Sequence, residues 1–161
     1  MRKLKIILAV VGALFIVGMG IYYFKVRVAE PNITYEANQA KKVDSNSLGH
    51  YKTQNGSYLQ ENANGLWEMY LQGKPYEIGV AFGALANASG LIQEKEAAFI
   101  GEIENRIPSA SYLNFLKYII GWFNRDLDDY IPDEYLHEIY GSSHYMPDQF
   151  DYIAPKFHRA L

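Results

Sequence analysis

Cysteine is absent from all 161 residues. That excludes disulfides, thiolate metal sites, a lipoprotein-type lipid anchor and, within these residues, a cysteine nucleophile. Histidine is scarce as well. His50, His137, His144 and His158 show no pairing at a spacing of three or four, so no metal site and no cofactor are expected. Acidic residues are missing from the first 27 positions, and no charge of either sign interrupts Ile6 to Phe24. Beyond that segment no dense basic run occurs. Residues 28–161 carry ten basic side chains against eighteen acidic ones, a net of −8, which repels phosphate backbones and argues against a nucleic-acid partner. Asp126 and Asp128 lack the glycine and later glutamate of a calcium loop. Ser142-Ser143-His144 lacks the strand-to-helix elbow that exposes a serine nucleophile.

What the chain does hold is clearest at its start. Arg2, Lys3 and Lys5 precede the uncharged run, and Lys25 and Arg27 follow it. Nineteen helical residues span about 28 Å, close to the roughly 30 Å of bilayer hydrocarbon. Tyr22 and Tyr23 fall at the far end, where amphipathic rings favour the interface. Residues 1–27 therefore read as an uncleaved signal anchor that contacts the bilayer through residues 6–24. The N-terminus is then cytoplasmic and the remainder extracytoplasmic; a cleaved signal peptide ending near Gly18-Met19-Gly20 is the alternative.

Residues 28–56 are rich in Asn, Gln, Ser, Ala and Lys without helical or alternating period, and read as a polar linker. The triplets Asn32-Ile-Thr34, Asn55-Gly-Ser57 and Asn87-Ala-Ser89 fit the glycosylation pattern, which is too common to carry weight. Residues 57–161 form the folded part. Ser57 to Glu61 and Leu66 to Leu71 read as two strands joined by an Asn64-Gly65 turn. Trp67, Met69 and Leu71 share one wholly apolar face, expected to be buried.

Pro75 opens a helix, where its missing amide hydrogen costs nothing, and Glu77 faces the positive helix end. Gly79 and Gly83, four apart, leave one face without side chains, so another backbone, expected to be a β layer, can press against it. Helical pattern continues to about Asn105, with Ser89-Gly90 as a kink or break and Pro108 as the stop. A second helix, Tyr112 to about Asp128, is apolar around most of its circumference. A central core helix is the plainest reading. Two sharper ones stay open: a wall of an acyl-binding pocket, through Phe115, Ile119 and Trp122, or a surface dipping into the bilayer beside the anchor. Pro132 opens a further helix, with Gly141 as its expected stop.

The run Gly73-Lys-Pro75-Tyr76-Glu77-Ile-Gly79-Val-Ala-Phe-Gly83 resembles the motif near the start of the acyl-coenzyme A:isopenicillin N acyltransferase family, N-terminal-nucleophile (Ntn) hydrolases. Gly73, Pro75, Tyr76, Glu77, Gly79 and Gly83 match it; Lys74 stands where the family often has Thr, and Phe82 where it often has His. The run Tyr130 to Gly141 is similar to a later helical block, so the resemblance covers about residues 65–141. The residue patterns above read as an α+β fold, a transmembrane helix, then a β-hairpin with several helices, and the resemblance implies that these form an incomplete portion of an αββα sandwich. It also implies a cysteine nucleophile downstream of these residues, freed by self-cleavage, with its own α-amine as base. The motif residues are then structural, and none in this chain is catalytic. The chain is expected to be the N-terminal portion of an acyltransferase or amidohydrolase, inactive by itself, whose partner is the C-terminal catalytic part of the same protein. The competing reading is a membrane-tethered helical interaction module without catalysis.

Overall fold

The computed structural model describes residues 2–26, 29–46 and 49–161. It is an α+β structure with seven α-helices and one four-stranded antiparallel sheet among the described residues. Helix α1 (Arg2–Val26) stands apart, none of its residues buried, and is long and apolar enough to cross a membrane.

The segment read as a polar linker contributes to the folded body instead. A short helix α2 (Asn38–Lys41) buries Ala37 and Ala40, and strands β1 (Val43–Ser45) and β2 (Tyr51–Thr53) begin the sheet. Strands of three residues are too short to display alternation, which is why composition alone hid them. The sheet then continues through β3 (Tyr58–Glu61) and β4 (Trp67–Tyr70), in the order β1-β2-β3-β4. Asn55-Gly56 is the β2–β3 turn: Gly56 adopts φ +91°, and its amide donates to Thr53 O. Thr53 and Ser57 are buried but satisfied; Ser57 Oγ accepts from the Gln72 amide. The β3–β4 loop is longer than the expected two-residue turn. It closes between Asn62 and Leu66, only Gly65 takes positive φ, and the Asn62 side chain accepts from the amides of Asn64 and Leu66.

Helix α3 (Pro75–Ala88) is the centre of the body, with Val80, Ala81 and Leu85 fully enclosed. One side meets α2 and strands β1 to β3. The other meets α6 (Asp133–Ser143), and here the structure corrects the expectation of a β layer. A Cβ on Gly79 would lie 1.9 Å from Glu138 O, and one on Gly83 would lie 2.4 Å from the Tyr145 ring. Gly141 does not stop α6. It sits inside the helix, where a Cβ would come within 2.6 Å of Tyr76 O and 2.8 Å of Val80 N. Three glycines from two helices thus let their backbones touch, a contact no side-chain packing could replace.

Because α3 covers β1 to β3, β4 runs past its footprint. Trp67 and Met69 do share the face of buried Leu59, as the parity requires, yet Trp67 is 44 % and Met69 36 % exposed, and Leu71 is half-buried. The expected burial of this face therefore fails for want of a covering layer.

The long helical region breaks at Ser89-Gly90, Gly90 taking φ +80°, into α3 and α4 (Leu91–Arg106). Helix α5 (Ala110–Phe123), capped by Ser109 Oγ, buries no residue at all, so it is not the core helix that its apolar circumference predicts. Its near neighbours include α1: Tyr22 donates to Tyr118 O at 2.7 Å and stacks on Trp122. Two 3₁₀ turns, Leu127–Tyr130 and Asp148–Phe150, and helix α7 (Lys156–Ala160) complete the chain.

Candidate functional site

The turn from β4 into α3 is built by the motif residues. Gly73 takes φ +132°, which an L side chain rarely adopts, and the bend brings Glu77 back over the chain. Glu77 Oε2 accepts from the Lys74 amide at 2.8 Å, satisfying one orphan donor of the helix start. Lys74 has no side-chain oxygen with which to return the bond; its ammonium lies over the Tyr35 ring at 4.8 Å. Pro75 occupies the first helical position. Tyr76 is buried in an aromatic cluster with Tyr35, Tyr140 and His144, and Tyr140 in turn meets Phe157 edge-on. The motif residues thus build the turn out of β4 and the contact of α3 with α6.

Ser142 and Ser143 donate to carbonyls of their own helix, Ile139 O at 2.9 Å and Tyr140 O at 2.8 Å. The His144 ring packs on Tyr140 at 4.6 Å, and its pKa is pushed down by desolvation first and by Lys41 second. Among the described residues no group of three His, Asp or Glu side chains converges as a metal site would require.

The cavity that could hold a ligand lies elsewhere. A half-open groove of about 1080 Å³ runs between α4 and α5 and ends against the C-terminal segment. That is slightly above the ~300–1,000 Å³ range of small-molecule sites. Ile92, Phe99 and Ile103 of α4 face Leu113, Leu116 and Ile120 of α5 across it. These apolar residues of α4 recur at helical spacing and form a groove wall. Phe115, Ile119 and Trp122, the expected pocket wall, are not among the lining residues; α5 turns its adjoining face inward.

At one end the apolar lining gives way to charge. Arg159 and Glu96 are almost fully enclosed, their side chains 5 % and 9 % exposed, with Arg159 Nε 3.0 Å from Glu96 Oε1. Arg159 also pairs with Asp151 at 2.8 Å and donates to Pro147 O at 2.7 Å. Glu96 Oε2 and the neighbouring Gln93 Oε1 are buried without a hydrogen-bond partner among the described residues. Desolvation raises the Glu96 pKa, and the attraction of Arg159 offsets this only in part. The groove thus combines a mostly apolar bed, which Lys95, Asn114 and Lys117 also line, with an enclosed ion pair, a form suited to an alkyl or acyl chain with a polar head.

Comparison with family models, curated proteins and solved structures returns no match.

Proposed function

We propose that this chain is the membrane-anchored N-terminal portion of an Ntn-type hydrolase, which cleaves or transfers acyl groups at amide or ester bonds and is inactive without a cysteine-bearing catalytic portion. The observation that carries the reading is β4. Its outer edge pairs with no strand among the described residues, and Trp67 and Tyr70 lie open beside it. Unpaired amides and exposed aromatic side chains on one strand invite further strands. The glycine-and-proline motif lies immediately after that strand, as in the family it resembles.

In the complete enzyme the cysteine thiol would lose its proton to its own α-amine and attack the acyl carbonyl. The amine or alcohol leaves with a proton, and water or an acyl acceptor then takes the acyl group from sulfur. The α4–α5 groove is the part of this chain fitted to hold the acyl portion. Three basic residues before the uncharged run Ile6 to Phe24 against two after it, with a net-negative body, support an N-terminus in the cytoplasm and the body outside.

The test is reconstitution. The 161-residue chain alone should show no turnover of chromogenic esters or amides. Added to the cysteine-bearing portion encoded after Leu161, it should form a complex whose activity disappears when that cysteine becomes alanine. A stop codon directly after Leu161, with no such portion, would favour the interaction module, a reading supported by the uncovered apolar surface of α5.

A further inference from the structure

Helix α5 divides into three faces. Leu113, Leu116, Lys117, Ile120 and Asn124 at its end turn towards the groove. Tyr118, Gly121 and Trp122 meet α1, the open Gly121 face lying against Tyr22 and Val26. The third carries Tyr112, Phe115, Ile119 and Phe123, spaced at i, i+3, i+7 and i+11, and is wholly apolar. Phe115 is 57 % and Phe123 78 % exposed.

The position of this stripe identifies what covers it. Tyr22 lies only two residues before the end of the uncharged run at Phe24, hence about 3 Å along the helix from it. α5 touches α1 within that last apolar turn, so the medium around Tyr22 is also the medium around α5. At that depth a spanning helix passes from hydrocarbon into headgroups, where Trp and Tyr collect, and the cluster of Tyr22, Tyr118 and Trp122 has that composition. Charge agrees. Residues 110–124 contain Lys117 and no acidic side chain, although residues 28–161 as a whole are strongly acidic. A helix with one apolar stripe and no negative charge is fitted to lie in a bilayer interface with the stripe downward.

We propose that α5 is a second membrane contact: it rests in the leaflet from which α1 emerges, with Tyr112, Phe115, Ile119 and Phe123 among the acyl chains. The proposal depends on α1 spanning the bilayer and is independent of the enzymatic reading.

The absence of cysteine makes the test direct, since any introduced cysteine is the sole labelling site. Phe115→Cys, Ile119→Cys and Phe123→Cys, each in the full chain, carry a nitroxide and are reconstituted in phosphatidylcholine vesicles containing a minority of phosphatidylglycerol. Phe15→Cys reports the span and Glu134→Cys the aqueous body. Relaxation by oxygen, which concentrates in lipid, should exceed relaxation by a water-soluble nickel chelate severalfold more at the three α5 positions than at Glu134. Labels on α5 as open to the chelate as Glu134, with Phe15 still lipid-like, would overturn the proposal. So would α5 labels immobilised and shielded from both reagents, the mark of a protein cover such as the catalytic portion or a second copy.

Discussion

A methyl group on Gly79 would lie 1.9 Å from Glu138 O, a backbone atom that cannot rotate away. Gly79→Ala must therefore force α3 and α6 apart, and is expected to cost at least about 3 kcal/mol, the upper end of overpacking penalties. Gly101 in α4 has nothing within 4 Å of the same position, so Gly101→Ala should stabilise the protein by up to about 1 kcal/mol through helix propensity. Urea denaturation of the two variants checks the pair, and equal effects would refute the close helix contact. Glu96 gives the other residue-scale prediction. Its folded pKa is raised, so between the unfolded and folded values the native state holds more protons than the unfolded one, and stability falls as pH rises through that window. Glu96→Gln, whose amide imitates the protonated acid, should match the parent at acidic pH and gain on it towards neutrality. Arg159→Met should do the reverse, costing about 3 kcal/mol at neutral pH by stranding a buried carboxylate, and less where Glu96 is protonated. Denaturation midpoints measured across pH for both variants decide this.

Among the elements, those announced by local chemistry were legible. Pro75 starts α3, Ser109 caps α5, and Ser89-Gly90 breaks the long helical run where a break was one of two readings. The rest depended on neighbours that sequence does not show. Gly141 has the look of a helix stop, and only the approach of Tyr76 O explains why a glycine persists inside α6. Asn55-Gly56-Ser57 fits a glycosylation triplet and is a hairpin turn. An apolar circumference says that α5 avoids water but not whether protein or lipid surrounds it, so core helix and membrane surface gave the same pattern. The groove's polar end needed Arg159 and Glu96 to meet across 63 positions of chain, which no local pattern records. Differences in packing predict differences in persistence. α3, enclosed by α2, the sheet and α6, should keep its amide protons far longer than α4, whose residues are half-buried or exposed even though the Glu96 side chain is enclosed. Hydrogen exchange followed by mass spectrometry would show this, and equal protection in the two helices would contradict the central place given to α3.

For the molecule as a whole, an N-terminal helix long and apolar enough to cross a membrane, ahead of an acidic body, predicts a tethered protein. The chain should remain with membranes through alkaline carbonate washing, and an added protease should digest the body only from the extracytoplasmic side. Beyond the anchor helix, β4 ends the ladder among the described residues with aromatic side chains in the open, and a cysteine-bearing portion, if the proposed function holds, would extend it. The most direct measurement is to isolate the protein from its own membranes, with an antibody to α6, and determine the mass and N-terminal residue of every polypeptide that accompanies it. The account predicts a companion that begins with cysteine and is held to this chain in constant ratio. Recovery of the 161-residue chain without any cysteine-bearing companion or extension would contradict it.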